Sequence, residues 1–130
     1  MSDKILIVDD EEAILFAMRD YLTACGGEVD CAQDLDEAQA LLSASHYAVV
    51  IADLRLTGLG GTEGLQLVSL VRNQSPGTRV VVLTAYGTQE MESEALRRGA
   101  DAVLRKPKPL NQILQIVSGL VQLSKTTVIH

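Results

Sequence analysis

Three short apolar segments stand out along the chain because each is continuous and does not alternate with polar residues. They cover residues 5–8, 48–52 and 80–83, and they are rich in the β-branched residues valine and isoleucine. Continuous segments of this length are typical of strands that are buried on both faces of a parallel sheet. Residues 29–32 and 102–104 form two weaker segments, which suit strands at the edges of the same sheet.

Between these segments, apolar residues recur with the spacing of an amphipathic helix. The first stripe ends at Gly26-Gly27, and Asp34 is placed to cap the start of the second helix. Strands alternating with helices predict an α/β fold whose parallel sheet is covered by helices on both faces and built from right-handed crossovers. The residues expected to face the core are Ile14, Ala17, Met18, Tyr21 and Leu22 in the first helix, Ala38, Leu41 and Leu42 in the second, Leu65, Val68 and Val71 in the third, Met91, Ala95 and Leu96 in the fourth, and Leu110, Ile113, Leu114, Val117, Leu120 and Val121 in the fifth.

The length and composition of the chain correspond to one domain. It has 130 residues, of which 47% are hydrophobic, and this is enough to enclose a single core. We expect that domain over residues 1–124, followed by a short tail at 125–130, with no output domain in this chain. No apolar segment is long enough to span a bilayer, and the first residues lack the features of a signal peptide, so a soluble cytoplasmic protein is expected.

Charge and composition argue against several classes of function. A net charge of −6, few aromatic residues and no tryptophan disfavour nucleic-acid binding by this domain. Cys25 and Cys31 lack the spacing of metal ligands or redox pairs, and we expect them to be small buried residues in a reducing compartment. His46 and His130 are isolated in the sequence, so neither is expected to bind metal or act in catalysis.

The candidate chemistry lies where the strands end. Asp9 and Asp10 follow the first strand, Asp53 the third, Thr84 the fourth, and Lys106 the fifth. Because the carboxyl ends of parallel strands share one edge of a sheet, these polar groups are expected to meet in one crevice. Any one of them alone would be an ordinary structural residue, such as an aspartate that caps a helix. Their convergence favours a functional site.

A metal ion fits this set of charges. Three carboxylates in contact repel one another by about 4 kcal/mol per pair at an effective dielectric constant of about 20. Lys106 offsets part of this repulsion, and a divalent cation offsets more. Oxygen ligands in an incomplete protein shell favour Mg²⁺, which keeps water molecules and shares its coordination sphere with phosphate. Asp53 beside Mg²⁺ and an ammonium group would be a competent nucleophile toward phosphorus, and Thr84 could donate a hydrogen bond to the bound phosphoryl group.

Four segments, taken together and in order, resemble the receiver domains of two-component response regulators. They are ILIVDDE at 5–11, VIADL at 50–54, VLTA at 82–85 and LRKP at 104–107. The resemblance runs from about Lys4 to Leu123. It implies a doubly wound, flavodoxin-like fold in which five parallel strands in the order 2-1-3-4-5 are wrapped by five helices.

The resemblance also implies a role in phosphorelay signal transduction, for a phosphoprotein that is a switch and not a classical enzyme. Asp53 would accept a phosphoryl group from a sensor histidine kinase or a phosphotransfer protein, and the domain would assist its own phosphorylation and dephosphorylation. The position of each residue in the family pattern implies Asp10, Asp53 and the backbone carbonyl of Arg55 as direct Mg²⁺ ligands, Asp9 as a ligand through water, Lys106 as the phosphate-binding lysine and Thr84 as the switch hydroxyl.

One departure from the family pattern concerns the switch itself. Val103 occupies the position, three residues before the lysine, where an aromatic residue is common, so the usual coupled rotation of Thr84 and an aromatic ring lacks one partner. Phosphorylation would change the affinity for a downstream protein or an output domain. The face from the fourth helix to the fifth helix is the expected surface for that partner or for a homodimer. No contact with nucleic acid or membrane is expected.

Three alternatives remain open at this point. The first is a receiver-like interaction module that signals without phosphorylation; the acid set, Thr84 and Lys106 argue against it, and Val103 leaves it open. The second is a fragment of a nucleotide-binding enzyme, suggested by the glycine-rich residues 58–64, although their spacing is not the usual dinucleotide fingerprint. The third is a phosphatase that uses Asp53 as a transient nucleophile. Such enzymes usually need a second aspartate two residues further on, where this chain has Arg55.

Overall fold

The computed structural model describes residues 4–54, 63–84, 88–105 and 110–129. Within them strands and helices alternate, and the strand boundaries agree with the predicted ones to within one residue. In chain order the elements are β1 (Lys4–Val8), α1 (Glu12–Ala24), β2 (Glu28–Ala32), α2 (Leu35–Ala44), β3 (Val49–Asp53), α3 (Glu63–Gln74), β4 (Arg79–Thr84), α4 (Gln89–Arg98), β5 (Ala102–Arg105) and α5 (Leu110–Ile129).

The five strands form one parallel sheet in the order β2-β1-β3-β4-β5, which confirms the predicted fold class. Every residue of the central strand β3 is buried, and in β1 and β4 only the first residue is not. The outer strands are more exposed, since β2 fully buries only Ala32 and β5 fully buries none of its residues. Burial on both faces explains why the central strands are continuous apolar segments.

Alternate residues of each strand point to opposite faces of the sheet, so the hydrophobic core has two halves. One half contains Val50 and Val82 together with buried residues of α2, α3 and α4. The other contains Ile51 and Val81 together with buried residues of α1 and α5. Helices therefore cover both faces, and a functional site is left to an edge of the sheet.

The buried stripe of α1 differs from the predicted one. Its buried residues are Leu15, Met18 and Leu22, whereas Ala17 is exposed. The successive spacings of three and four residues place the three buried side chains on one side of the helix. Ala17 lies outside that stripe.

Two further predictions about burial are wrong. Leu96 is 51% exposed, because α4 contacts the core through Met91 and Ala95. Cys25 is exposed in the turn that follows α1, and Cys31 is half-buried on the edge strand β2. Apolar character alone did not decide these positions, because α4 contacts the core along one stripe, Cys25 lies in a turn and Cys31 lies on an edge strand.

Among the described residues, side chains cap the starts of α2 and α4. The carboxylate of Asp34 accepts a hydrogen bond of 2.8 Å from the backbone N–H of Glu37, which confirms the predicted cap of α2. The hydroxyl of Thr88 accepts a hydrogen bond of 3.1 Å from the backbone N–H of Met91 at the start of α4. Helix α5 continues through most of the segment predicted as a tail, and the side chain of Val121 lies outside the described residues.

Helix α5 is also the element closest in length to a membrane span, at 20 residues. Across the described parts of the chain, however, no helix is both long and apolar enough to cross a membrane.

Candidate functional site

Three aspartates meet at the carboxyl ends of β1 and β3. One carboxylate oxygen each from Asp9, Asp10 and Asp53 lies within 4.8 Å of the other two. Strands β1 and β3 are parallel neighbours with Val8 opposite Ala52, and the acids directly follow those two residues. The structure therefore brings together the three carboxylates that the strand ends predicted.

The backbone holds two of these acids firmly. The N–H of Asp9 donates to the carbonyl of Ala32 at 3.1 Å, so the pairing of β1 with β2 continues as far as Asp9. The N–H of Leu54 donates to the carbonyl of Leu83 at 2.9 Å, so the pairing of β3 with β4 continues beyond Asp53. Both carboxylates therefore project from ordered sheet and not from a loose loop.

The three carboxylates differ in exposure. Asp9 and Asp53 are 2% and 8% exposed, whereas Asp10 is exposed. Oδ1 of Asp9 accepts a hydrogen bond of 3.0 Å from the N–H of Glu11, the residue before α1. Asp9 thus combines the ordinary structural role of an aspartate before a helix with membership of the acidic cluster. The exposed Asp10 leaves one side of the cluster open to solvent.

Thr84 ends the strand next to Asp53. It is 1% exposed, and Asp53 lies opposite Leu83 in the register of β3 and β4, so Thr84 is one residue further along the edge. Thr84 therefore lies at the same edge of the sheet as the acidic cluster. Arg55 and Lys106, the two remaining predicted site residues, lie outside the described residues and directly follow Leu54 and Arg105 in the chain.

The donor set fits Mg²⁺. The ligand atoms are carboxylate oxygens, which suit a hard cation, and one open side leaves space for water or a phosphate oxygen. Charge supports the same conclusion, since carboxylates about 4 Å apart repel by about 4 kcal/mol per pair at a dielectric constant of about 20.

Sequence reasoning missed the partner of Arg105. Its guanidinium pairs with the carboxylate of Glu92 on α4 at 3.2 Å, and its side chain is 73% exposed. Arg105 lies opposite Thr84 in the register of β4 and β5. An ion pair therefore connects α4 to the end of the site's outermost strand. No sequence pattern links residues this far apart on two different elements.

Val103 lies where the family pattern commonly has an aromatic residue. It is half-buried and packs with the core half that contains Met91 and the residues of α4. The position is therefore occupied by a small aliphatic side chain that contributes to the core.

The model of the response regulator receiver domain family matches residues 5–118 of the chain. The chain belongs to this family. FleR, a response regulator protein of Pseudomonas aeruginosa, is 32% identical over 118 residues, which cover 91% of this chain and 24% of FleR. The chain spans 24% to 55% of the length of the curated relatives it matches.

Solved receiver structures agree with the fold. A CheY-like receiver domain protein from Methanospirillum hungatei JF-1 superposes with a TM-score of 0.92 at 27% identity, over 98% of this chain and 99% of that one. A response regulator from Burkholderia pseudomallei superposes with a TM-score of 0.83 at 28% identity, over 97% of this chain and 72% of that one. The Burkholderia structure contains a phosphorylated aspartic acid and a calcium ion. Receiver domains generally bind Mg²⁺, and the acidic cluster is compatible with this.

Proposed function

We propose that this receiver domain is the phosphoacceptor switch of a two-component phosphorelay and that Asp53 is the residue phosphorylated. The observation that carries the proposal is the cluster of three carboxylates, within 4.8 Å of one another, at the end of β1 and β3. A single exposed aspartate would be unremarkable. Two buried aspartates and an exposed one, beside a buried threonine at the next strand end, form an arrangement suited to phosphoryl transfer.

The chemistry follows from the positions of these groups. A carboxylate oxygen of Asp53 attacks the phosphorus of a phosphohistidine on a sensor histidine kinase or a phosphotransfer protein. The new oxygen–phosphorus bond forms as the nitrogen–phosphorus bond breaks, and the imidazole leaves with the electron pair. Asp10, Asp53 and the carbonyl of Arg55 would hold Mg²⁺, with Asp9 acting through water. The bound ion would supply positive charge to the oxygens of the transferred group.

One cationic side chain and one hydroxyl side chain complete the proposed site. Lys106 follows β5 and would neutralise the phosphoryl group, assisting both its arrival and its loss. The hydroxyl of Thr84 would donate a hydrogen bond to that group once it is in place. The movement of Thr84 would then favour one conformation of the face from α4 to α5, with altered affinity for a downstream protein, an output domain or a second copy of this chain. We place these events in the cytoplasm and assign them to residues 1–124.

The best alternative is an interaction module of the same fold that does not depend on phosphorylation. Val103 favours it, because a small side chain packed in the core cannot rotate as an aromatic switch residue would. Membership of the receiver family removes the grounds for a nucleotide-binding enzyme. The complete acidic cluster favours the phosphoacceptor over the module.

The test is intact mass after incubation with a small acyl phosphate and Mg²⁺. We expect the mass of one phosphoryl group to be added to the parent protein. The addition should disappear in Asp53→Asn and when Mg²⁺ is removed by a chelator. Addition that persists in Asp53→Asn would assign the phosphoryl group to another residue. No addition under any condition would favour the phosphorylation-independent module.

A further inference from the structure

We infer that Gly64 is a positioning residue for Asp53. A side chain at residue 64 would collide with the main chain of Leu54: an added Cβ would lie 2.3 Å from the carbonyl oxygen of Leu54, 2.6 Å from its Cα and 2.7 Å from its carbonyl carbon. Leu54 is the residue directly after Asp53. Residue 64 is glycine because a side chain would occupy the space of the Leu54 main chain. The inference rests on the proposed role of Asp53.

A movement of the main chain of Leu54 could relieve this collision only by disrupting the sheet. Leu54 is completely buried, and its N–H is hydrogen-bonded to the carbonyl of Leu83 at 2.9 Å. Moving the main chain of Leu54 would stretch that bond and displace Asp53, the neighbouring residue. Because Asp53 must stay close to Asp9 and Asp10, a shift of the main chain acts directly on the cluster.

A movement of α3 away from Leu54 is restricted as well. Gly64 itself is buried in the first turn of α3, and Leu65, Leu67 and Val68 are 8%, 0% and 0% exposed. These side chains are part of the core half shared with β3 and β4. A retreat of α3 from Leu54 would open gaps around them, which close-packed interiors resist. An alanine at residue 64 therefore changes the position of Leu54, and the absence of a side chain sets how far Asp53 projects.

Two matched variants separate this role from ordinary destabilisation. Gly119→Ala makes the same chemical change on α5, where an added Cβ meets nothing within 4 Å. Val71→Ala removes buried volume from α3 seven residues further along, about 10 Å away at 1.5 Å per residue. We expect Val71→Ala to lower the melting temperature by removing buried volume at a distance from the residue 64 position. It is the reference for an effect on stability alone.

The experiment compares the four proteins by amide hydrogen exchange, Mg²⁺ titration and phosphoryl transfer from an acyl phosphate. We expect Gly64→Ala to speed exchange of the Leu54 amide selectively and to weaken Mg²⁺ binding about tenfold, as loss of supporting contacts does at other metal sites. Phosphorylation should slow by about ten- to a hundredfold, as expected for a misplaced reacting group. Gly119→Ala should match the parent in all three, whereas Val71→Ala should match it in Mg²⁺ binding and phosphoryl transfer and speed exchange across the core amides without singling out Leu54.

Failure of this inference is distinct from failure of the proposed function. If the parent gains no phosphoryl group, the proposed function fails, while the Leu54 amide and the Mg²⁺ titration still test Gly64. Protection of Leu54 and Mg²⁺ affinity in Gly64→Ala equal to those in Val71→Ala would overturn the positioning role. So would a Gly64→Ala protein that does not fold while both control variants do, because Gly64 would then serve the fold as a whole.

Discussion

The hydroxyl group of Tyr47 donates a hydrogen bond of 2.6 Å to Oδ2 of Asp30, near the amino ends of the strands and therefore away from the acidic cluster. Tyr47 is 1% exposed. The ammonium group of Lys4 lies 3.6 Å from the same carboxylate oxygen and 5.5 Å from the centre of the Tyr47 ring. The three side chains connect β1, β2 and the residues before β3.

This contact predicts a pH dependence of stability. Burial, followed by the hydrogen bond and negative charge of Asp30, raises the pKa of Tyr47 well above its usual value. Because the folded protein holds the proton more tightly than the unfolded chain, the stabilisation is complete below the unfolded pKa of about 10 and is lost as the pH rises above it. We expect the free energy of unfolding to fall above about pH 10 more steeply in the parent than in Tyr47→Phe.

Denaturant unfolding at a series of pH values measures this difference. Burial also raises the pKa of the Cys31 thiol, and that contribution is present in both proteins and cancels in the comparison. Parallel stability curves for the parent and Tyr47→Phe would show that the tyrosine proton is not held more tightly in the folded state.

Substitution of Asp101 should lower the free energy of unfolding more than substitution of an exposed ion-paired acid. Its carboxylate pairs with Arg72 at 3.0 Å and Arg79 at 3.3 Å, and it accepts a hydrogen bond of 2.8 Å from the N–H of Val80. The side chain is only 18% exposed. Replacement by asparagine would remove the negative charge shared by the partly buried guanidinium groups of Arg72 and Arg79, so we expect a loss of about 2 to 3 kcal/mol.

Chemical denaturation of Asp101→Asn, Asp101→Ala and Asp20→Asn checks this. Asparagine can still accept from Val80, so the alanine variant should be the less stable of the two. Asp20 pairs with Arg19 at 4.0 Å on the surface, and Asp20→Asn should change stability by less than about 0.5 kcal/mol. Equal effects of Asp101→Asn and Asp20→Asn would contradict the assignment of Asp101 as a partly buried partner of both Arg72 and Arg79.

Removal of the ion pair between Glu92 and Arg105 should loosen α4 locally and change the stability of the whole domain very little. The exposed guanidinium limits the pair to about 0 to 1 kcal/mol. Glu92→Gln should therefore barely shift the denaturation midpoint, while amide exchange in α4 becomes faster. Glu94→Gln is the control, because Glu94 pairs with Arg97 and Arg98 within α4 itself. If the amides of α4 exchange at the same rates in the two variants, the ion pair with β5 does not restrain the helix.

The sequence predicted the sheet and the acidic edge well because both depend on local patterns. A strand buried on both faces must be continuously apolar, and the polar residue that ends it is the first to reach the edge. Asp9, Asp53 and Thr84 were therefore identifiable one strand at a time. The parallel topology, which follows from alternating strands and helices, then brought them together.

Contacts between distant residues could not be predicted in this way. Nothing in the local sequence of Tyr47 indicates Asp30, and nothing near Arg72 indicates Asp101, because many charged residues would satisfy the same pattern. Gly64 belongs to the glycine-rich residues 58–64 that suggested a nucleotide-binding enzyme, whereas we infer that it leaves space for the main chain of Leu54. Leu96 was assigned to the core on hydrophobicity alone, although α4 contacts the core along a narrow stripe.

Mg²⁺ binding and the removal of one carboxylate should each stabilise the folded protein, because both relieve repulsion within the acidic cluster, and the removal should reduce the gain from Mg²⁺. Binding of the ion to the folded state alone would stabilise the parent by about 2.7 kcal/mol at a concentration 100 times the dissociation constant. Asp53→Asn relieves repulsion among three close carboxylates, so it should be more stable than the parent in metal-free buffer and gain less from Mg²⁺.

Melting curves with and without Mg²⁺ provide the measurement, and Ca²⁺ serves as a second hard cation that the same oxygen ligands can hold. Asp34→Asn is a suitable control, because it also removes one negative charge but lies at the cap of α2, outside the cluster. It should respond to Mg²⁺ as the parent does. A cation response that survives in Asp53→Asn unchanged would mean that the ion binds elsewhere, and the acidic edge would then lose its interpretation as a metal site.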